Sequence, residues 1–591
     1  MSLNFQLQKS ISITAAALEW EAKHWDVLDS LHYITDDDVV EIRVPKDLPA
    51  GAEVTILLDY TGRFEDDLEG FYRSKYKTAD GRTHELAVTF LEPTCARQTA
   101  SESKQLVVFQ QSPLMSSYVC DNFVLQLSSH RSDPANLPSQ WLQLVGLVAG
   151  HLSRVKSTKS RIPLSVLCPK GSEAQASFAL ELASDALGFF ETLFDDQYPL
   201  PKLDLVAVPD FSSGAMENCG LITFRMNHLL IDTEDSSLDT KQAITRVVLH
   251  EIAHSWFGNL VTMKYWDGLW LKEGFATLLA WYASDKFFPG WHPWDKFITD
   301  TLQAALELDS LENSHPVEFV VKDATKAKQL FDHISYKKGC CVLKMLLDDL
   351  GEKRFFQGLK LYTHRHKFGN TESADLWHAF RDCGDPEVPN RMRVWTKETG
   401  FPVVTVTEEY NDANTDCGEV TALRLHQERF LMNRNSGSDR KRVFYPLHVS
   451  IRSESGVDTY HMPEQEIVIT VRGKIFLKVN ADHGVLFRTS YSSRHLQNLI
   501  QAAADGLLTL RDCIGLLADV SALTAAGINK TSELLDICLG FQFATEFSGG
   551  GEVLGSKARE LGWEMPDDDD ESQTAFKTSM FSAAGLVGDE E

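Results

Sequence analysis

The sequence predicts a multidomain α+β protein, and three observations lead to that fold class. The chain has 591 residues, of which 43% are hydrophobic, so it is long enough to form several globular domains. Short runs that alternate apolar and polar residues dominate positions 1–125 and 401–491, which is typical of β-strands. Apolar residues at helical spacing dominate positions 162–400 and 492–591. We therefore expect β-rich regions to alternate with regions that are mostly helical.

These patterns divide the chain into four expected domains. They are an N-terminal β domain at 1–160, a mixed domain at 161–400, a β-sandwich at 401–491 and the start of a helical domain at 492–591. The stretch 127–159 fits neither neighbour. Its apolar part, 141–152, is too short to span a membrane and too polar at its flanks for a buried helix. We interpret this stretch as a surface insertion or an erroneous gene-model segment, with a partner-binding helix as the alternative.

The charge and the cysteines limit the class of partner and the compartment. The net charge of −27 argues against nucleic acid and anionic membranes as partners, and it is compatible with a cationic peptide N-terminus. Ten cysteines without a C-x-x-C pair predict neither a disulfide framework nor a cysteine zinc site. No signal peptide and no apolar run of the roughly 18 residues needed to cross a bilayer are evident. We expect a cytoplasmic protein without a membrane anchor or an obligate protein partner.

The motif H-E-x-x-H at 250–254 carries the chemistry. On a helix, positions four apart share a face, so His250 and His254 can direct two imidazoles at one metal ion. Glu273 lies on a second segment of helical periodicity and is the expected third ligand, because a catalytic zinc takes three protein ligands and keeps one position open. Glu251 can take a proton from a metal-bound water. The alternative is two histidines on a solvated helix face.

The pentapeptide G-A-M-E-N at 214–218 is the second constellation. It follows the apolar run 203–211, which we interpret as a strand. A glycine at a strand end lets the backbone approach a ligand closely. Taken alone, Glu217 would be interpreted as a solvated turn residue. Tyr336, further along the chain, would be interpreted as a core aromatic. A functional role for either residue therefore depends on the other motifs of the chain.

Together these motifs resemble the zinc aminopeptidases of the aminopeptidase N family, most closely the cytosolic puromycin-sensitive branch. G-A-M-E-N upstream of H-E-x-x-H-x18-E is that family's signature. Further matches lie in register: G-F-Y-R-S at 70–74, L-E-P-T-C-A-R at 91–97 (where the family has Phe at the position of Leu91), D-H-I-S-Y-K-K-G at 332–339, and F-R at 487–488 with Tyr491. The resemblance extends from about Ile11 to the C-terminus. It implies a thermolysin-like zinc domain at 161–400.

The resemblance also implies a role for each matched residue. Three would bind one zinc ion per chain: His250, His254 and Glu273. Glu251 would be the general base, and Tyr336 would donate a hydrogen bond to the oxyanion. Two carboxylates, Glu217 and Glu92, would hold the free amino group of a peptide substrate, as a desolvated ammonium requires. The remaining positions of the pentapeptide would contribute substrate contacts: Gly214, Ala215, Met216 and Asn218.

Some departures from the family qualify this expectation. Opening strands are missing before Ile11, a segment of several strands is reduced to eleven residues between Arg97 and Phe109, and the helical domain stops early. We therefore expect a zinc-dependent hydrolase of the N-terminal peptide bond, with a catalytically impaired truncated isoform or gene-model product as the alternative. A thermolysin-like endopeptidase fits less well, because such an enzyme would have no equivalent of the amine-holding Glu217. An epoxide-hydrolase relative also fits less well, because its G-M-E-N motif lies in a different sequence context.

Overall fold

A computed structural model describes most of the chain in two compact units. The described residues are 2–6, 11–20, 23–34, 39–43, 55–62, 68, 70–78, 81–90, 124–126, 148–232, 236–321, 329–410, 420–433, 443–474 and 476–541. The first unit comprises Met1–Trp266, Val321–Gln329 and Thr363–Thr371. The second comprises Asp267–Val320, Leu330–Tyr362 and Glu372–Glu591.

The described residues form strands and helices in the following order. The strands are β1 (Ser2–Gln6), β2 (Ile11–Trp20), β3 (Lys23–Asp26), β4 (Leu31–Ile34), β5 (Val39–Arg43), β6 (Thr55–Gly62), β7 (Gly70–Lys77), β8 (Thr83–Phe90), β9 (Val124–Gln126), β10 (Val148–Gly150), β11 (Leu152–Lys156), β12 (Leu164–Pro169), β13 (Leu203–Val208), β14 (Ala215–Met216), β15 (Leu221–Arg225), β16 (Val261–Met263), β17 (Gly369–Thr371), β18 (Pro402–Tyr410), β19 (Val420–Arg429), β20 (Leu447–Ser453), β21 (Gly456–Met462), β22 (Glu466–Lys474), β23 (Lys478–Val479) and β24 (Arg488–Ser490). The helices are α1 (Ser177–Phe194), α2 (Leu238–Ala253), α3 (Trp270–Phe287), α4 (Pro293–Phe297), α5 (Ala304–Asp309), α6 (Gly339–Leu350), α7 (Glu352–His366), α8 (Ser373–Asp382), α9 (Val388–Lys397), α10 (Ser493–Ala504), α11 (Leu510–Ala525) and α12 (Thr531–Phe541).

The central element of the first unit is a five-stranded mixed sheet in the order β11-β12-β13-β15-β14. Strands β12, β13 and β15 run parallel, and both outer strands, β11 and β14, are antiparallel to their neighbours. All residues of β12 and β13 are buried. Such continuous apolar runs are typical of parallel strands that are covered on both faces. The pairing leaves the two-residue strand β14 at the sheet edge.

A second sheet of the first unit packs on this one. Its order is β7-β8-β10-β9, and its buried side chains share one hydrophobic core with those of the five-stranded sheet. Tyr72 and Val88 contribute from the second sheet, and Val206 and Met216 from the first. This shared core fixes the pentapeptide strand β14 against the β-rich region that precedes it in the chain.

The second unit contains two further sheets among helices. The sheets have the orders β22-β19-β18-β24 and β21-β20-β23. Strand β20 alternates buried and half-buried residues in the pattern expected for a sheet with one covered face. Helices α10, α11 and α12 follow, and their buried residues include Leu499, Leu516 and Ile537.

The predicted fold class is confirmed as a multidomain α+β arrangement. The strand predicted at 203–211 begins at Leu203 and ends at Val208. Among the described helices, none combines the length and the apolar character that a bilayer crossing requires. We expected opening strands to be missing before Ile11, but β1 occupies Ser2–Gln6 and pairs with β5. The four domain bounds stay predictions.

The stretch 148–159 is the main correction to the sequence analysis. We expected a surface insertion, but β10 pairs with β8 and β9, and β11 pairs with β12. Val148 is fully buried in the core that both sheets share. Apolar runs of this length form helices or strands according to the pairing that tertiary structure offers, and here strand pairing prevails. Positions 127–147 lie outside the described residues.

Candidate active site

The two motif histidines face each other at the C-terminal end of α2. The helix begins after Ser237, whose side chain accepts a hydrogen bond from the Thr240 backbone, and its apolar face is buried. His254 caps the helix and keeps helical geometry, because its backbone N–H donates to the His250 carbonyl at 3.2 Å. The Nε2 atoms of the two imidazoles are 3.0 Å apart. Two nitrogen ligands of one tetrahedral zinc are separated by about 3.4 Å, so this geometry suits a shared ion.

A backbone carbonyl sets the tautomer of His254. The Nδ1 atom lies 2.9 Å from the Phe257 carbonyl oxygen, which can only accept a hydrogen bond, so Nδ1 carries the proton. Nε2 is therefore the nitrogen whose lone pair is available to a metal. Histidine ligands of zinc ordinarily have such an outer partner, which orients the ring and increases its basicity. The side chain is 1% exposed, so this orientation is held inside the protein.

Two buried carboxylates approach His254. Glu217 and Glu251 are 4% and 6% exposed, and one potential ligand atom from each lies within 4.8 Å of the other and of a His254 nitrogen. Glu217 Oε1 is 4.0 Å from His254 Nδ1. Burial of two carboxylates this close together is unfavourable unless cations or donors compensate their charge. The grouping is therefore suited to a cation, whether a metal ion or an ammonium group.

The pentapeptide reaches this grouping as the edge strand of the five-stranded sheet. The Gly214 carbonyl accepts a hydrogen bond from the Arg225 backbone at 2.9 Å, and β14 continues that pairing with β15. Asn259 then donates its side-chain N–H to the Glu217 carbonyl at 2.9 Å, which fixes the backbone beyond the strand. The Asn218 amide donates to the Thr223 hydroxyl at 3.2 Å. These bonds direct Glu217 into the interior and place Asn218 in a supporting role.

His228 explains the glycine at position 214. A Cβ atom there would meet the His228 Nδ1 atom at 3.1 Å, which is tighter than ordinary contacts. The same imidazole lies 3.3 Å from the Gly214 carbonyl oxygen, and burial lowers the pKa of His228. A neutral ring therefore packs against the backbone of the pentapeptide. We expected close approach of a ligand at Gly214, and the structure shows close approach of a side chain.

The matched segment at 70–74 supports the same region. The Tyr72 hydroxyl donates to the Asp210 carbonyl at 2.9 Å, and the Asp210 carboxylate accepts hydrogen bonds from the Ser74 hydroxyl and the Lys75 backbone. Burial raises the pKa of Tyr72, so the phenol remains a donor. Asp210 lies between β13 and the pentapeptide. These contacts tie the β-rich region to the loop that carries Glu217.

Glu273 lies in the first turn of α3 and is 2% exposed. Its neighbour Lys272 is also buried, and the Lys272 ammonium lies 3.0 Å from Glu273 Oε1. Gly274, the next residue, packs directly on the start of α6, because a Cβ atom there would lie 2.9 Å from the Gly339 backbone carbon. This close contact fixes the helix turn that presents Glu273. The buried lysine was not singled out in the sequence, although its position beside a proposed ligand was visible.

Tyr336 lies in a π-helical segment, Ile334–Lys338, and its side chain is half-buried. Asp332 accepts hydrogen bonds from the Ile334 and Ser335 backbones, which fixes the start of the segment. At its end, the buried Lys338 ammonium lies 2.6 Å from Asp309 Oδ2. Wide turns of this kind are rare and occur frequently at functional sites. The sequence did not predict the π-helical geometry.

The side chains of His250, His254 and Glu273 are of the types that bind zinc. Two imidazoles and one carboxylate are the ligands of hydrolytic zinc sites that keep a position open for reaction. Glu92, the second expected amine partner, lies outside the described residues, as does its matched segment 91–97. The individual roles of the site residues stay predictions.

Comparisons with known proteins match both regions that carry these features. The peptidase family M1 domain matches residues 178–395, and the peptidase M1 N-terminal domain matches residues 8–101. The first contains the H-E-x-x-H motif, the pentapeptide, Glu273 and Tyr336. The second contains Glu92 and the segment at 70–74.

Curated relatives extend the similarity along the chain. Aminopeptidase 2 of Candida albicans is 34% identical over 646 residues, covering 100% of this chain and 68% of the relative. Alanine/arginine aminopeptidase of Saccharomyces cerevisiae is 35% identical, covering 92% and 67%. Aminopeptidase M1 of Arabidopsis thaliana is 34% identical, covering 87% and 60%. The chain thus spans about two thirds of the length of these relatives, and it belongs to peptidase family M1, the zinc-dependent aminopeptidases.

Proposed function

We propose that this chain hydrolyses the N-terminal peptide bond of peptides and releases single neutral or basic residues. The observation that carries the proposal is the buried grouping of Glu217, Glu251 and His254 beside the edge strand β14. An edge strand can pair with an extended peptide through its backbone groups. A peptide bound along β14 would bring its amino end toward buried carboxylates, which favours an exopeptidase over an endopeptidase.

We infer that zinc is held by His250, His254 and Glu273. When bound there, zinc supplies a Lewis acid that polarises the substrate carbonyl and lowers the pKa of water. The protein's contribution is to hold the ligands in place. Phe257 fixes the tautomer of His254, and Lys272 binds one oxygen of Glu273.

Glu251 is proposed as the general base. Its carboxylate is buried beside His254, where it can accept a proton from the attacking water and transfer it to the leaving amine. Its closeness to His254 supports a role beside the proposed metal site. Proton transfer by one positioned carboxylate serves both halves of the reaction.

Glu217 is proposed to bind the substrate's ammonium group, and Glu92 to assist. Glu217 is nearly inaccessible to solvent, so a charged amine that replaces water there gains a strong charge-assisted contact. An acetylated N-terminus carries no charge and would leave this carboxylate without its cation. Gly214, Ala215 and Met216 would contribute the backbone pairing, and Asn218 would hold the strand end.

Tyr336 is proposed to donate a hydrogen bond to the oxyanion that forms as the carbonyl is attacked. Preorganised donors stabilise such developing charge more than they stabilise the substrate. Its π-helical segment is fixed at both ends by buried or half-buried acidic residues, Asp332 and Asp309. This anchoring fixes the backbone of the segment that carries the phenol.

Assignment to the puromycin-sensitive branch and a cytoplasmic location are also proposed. The absence of a C-x-x-C pair and the low isoelectric point support a reducing compartment and a partner of positive charge. One relative in Saccharomyces cerevisiae is named Aminopeptidase 2, mitochondrial. Fractionation of cells that express the chain distinguishes the two compartments.

The function is tested with the parent and the variant Glu217→Ala. We expect the parent to cleave a free aminoacyl-arylamide, and the variant to lose about 2–4 kcal/mol in kcat/KM, the cost of removing a buried charge partner. Glu181→Ala, an exposed position on α1, is the matched control and should leave kcat/KM unchanged. Cleavage of an N-acetylated peptide as fast as its free counterpart would contradict the amine-binding role. Thermal unfolding, measured with and without zinc, distinguishes a stably folded chain from an impaired, unstable one.

A further inference from the structure

A second group of metal-ligating side chains lies in the second unit, on the surface of the β20–β21 hairpin. His448 on β20 and His461 on β21 are directly paired across the antiparallel ladder. Paired residues project from the same face with Cβ atoms about 5 Å apart, so their side chains meet. Their ring centroids are 5.1 Å apart with an interplanar angle of 78°.

A carboxylate from another element completes the group. Asp349, near the end of α6, has its Oδ1 atom 2.9 Å from His448 Nδ1. One ligand atom from each of the three residues lies within 4.8 Å of the other two. Ligand atoms around a tetrahedral zinc are about 3.4 Å apart, which lies within this limit, and the His461 side chain is exposed and can adjust.

The electrostatics of the group favour a cation. Arg391 on α9 binds the other oxygen of Asp349 at 2.7 Å and also pairs with Asp385 at 3.0 Å. Two carboxylates, Asp349 and Asp385, therefore face one guanidinium, which leaves one net negative charge before the imidazoles are counted. The contact with Arg391 also holds the Asp349 carboxylate in place.

We propose that Asp349, His448 and His461 form a second binding site for a divalent transition metal, with Zn²⁺ as the ion. Imidazole and carboxylate donors together suit zinc better than Mg²⁺ or Ca²⁺, which prefer oxygen ligands. Side chains of Asp349 and His448 are 13% and 23% exposed, and His461 is exposed, so the ion can enter from solvent. The bound ion would join the hairpin to α6. It would not take part in hydrolysis.

The test measures zinc per chain after saturation with ZnCl₂ and removal of free metal. We expect His461→Ala to hold about one zinc ion fewer than the parent, with unchanged aminopeptidase activity. His378→Ala, an exposed histidine on α8, is the matched control and should hold as much zinc as the parent. The readout is the difference between two variants, so it is independent of whether the proposed catalytic site is loaded.

A second variant tests the site without removing a histidine. Asp349→Asn keeps the shape of the side chain but removes the charged ligand, and we expect zinc affinity at this site to fall at least tenfold. Equal zinc in the parent and His461→Ala would overturn the proposal. So would a loss of one ion in His378→Ala, because that would show only adventitious binding by surface histidines.

Discussion

Two of the histidine pairs among the described residues have similar geometry but different surroundings. The rings of His250 and His254 are 4.6 Å apart at 86°, and those of His448 and His461 are 5.1 Å apart at 78°. The first pair lies beside the buried carboxylates Glu217 and Glu251, whereas the second lies at the surface. An imidazole pair is thus common to both proposed metal sites, so the surroundings must account for any difference in reactivity.

The carboxylates account for the difference. Around His254, two buried carboxylates have ligand atoms within 4.8 Å of one of its nitrogens. We propose that Glu251 moves a proton and that Glu217 binds an ammonium group. At the surface pair, Arg391 already binds the nearby Asp349. We propose that the two buried carboxylates beside His254 distinguish the hydrolytic site from the surface binding site.

The largest expected effect comes from removing the base. Glu251→Gln should lower kcat by about 10²–10⁴-fold, because general base catalysis contributes that much. Zinc content should stay at the parent value, since the ligands are untouched. Asp349→Asn, the corresponding change at the surface pair, should alter kcat by less than about twofold. Comparable losses in both variants, measured on an aminoacyl-arylamide, would remove the distinction between the two sites.

The buried cation beside Glu273 should matter most when metal is absent. Lys272→Met leaves a buried carboxylate without its ammonium partner and should lower the free energy of unfolding of the zinc-free protein by about 3–5 kcal/mol. Bound zinc should reduce that loss, because it supplies another positive charge. Lys344→Met breaks an ion pair with the exposed Asp348 and should cost about 1 kcal/mol or less. Urea unfolding with chelator and with zinc gives the loss in unfolding free energy for each variant. Equal losses for Lys272→Met in the two conditions would refute the prediction that zinc compensates for the missing ammonium.

A somewhat smaller loss is expected from the proposed oxyanion donor. Tyr336→Phe should reduce kcat by about 10²–10³-fold without loss of zinc, because it removes one hydrogen-bond donor. Tyr460→Phe, on the β21 strand that carries His461, is the matched control and should keep parent activity. If Tyr336→Phe changed kcat less than threefold, the phenol would have no part in stabilising the oxyanion.

The contrast between the two pairs also shows what a sequence can reveal. His250 and His254 are four residues apart on one helix, so their convergence follows from helix geometry alone. His448 and His461 meet only because the hairpin register pairs them, and Asp349 reaches them only through tertiary packing. No local pattern encodes that register. The second group was therefore not predicted from the sequence.

The same reasoning applies to elements around the proposed active site. The helices and parallel strands could be predicted because their apolar periodicity is long and regular. The contact between His228 and Gly214 could not, because it depends on how β14 turns back along β15. The strands at 148–156 were missed because a short apolar run does not distinguish a helix from a strand.

We propose that His250, His254 and Glu273 hold zinc and that Glu251 does not. The most direct test is the zinc content of Glu273→Ala and Glu251→Gln, each made in the His461→Ala background so that the surface pair contributes nothing. We expect about one zinc ion per chain for His461→Ala alone and for the Glu251→Gln double variant, and close to none for the Glu273→Ala double variant. Full zinc in the Glu273→Ala double variant would show that this glutamate is not a ligand.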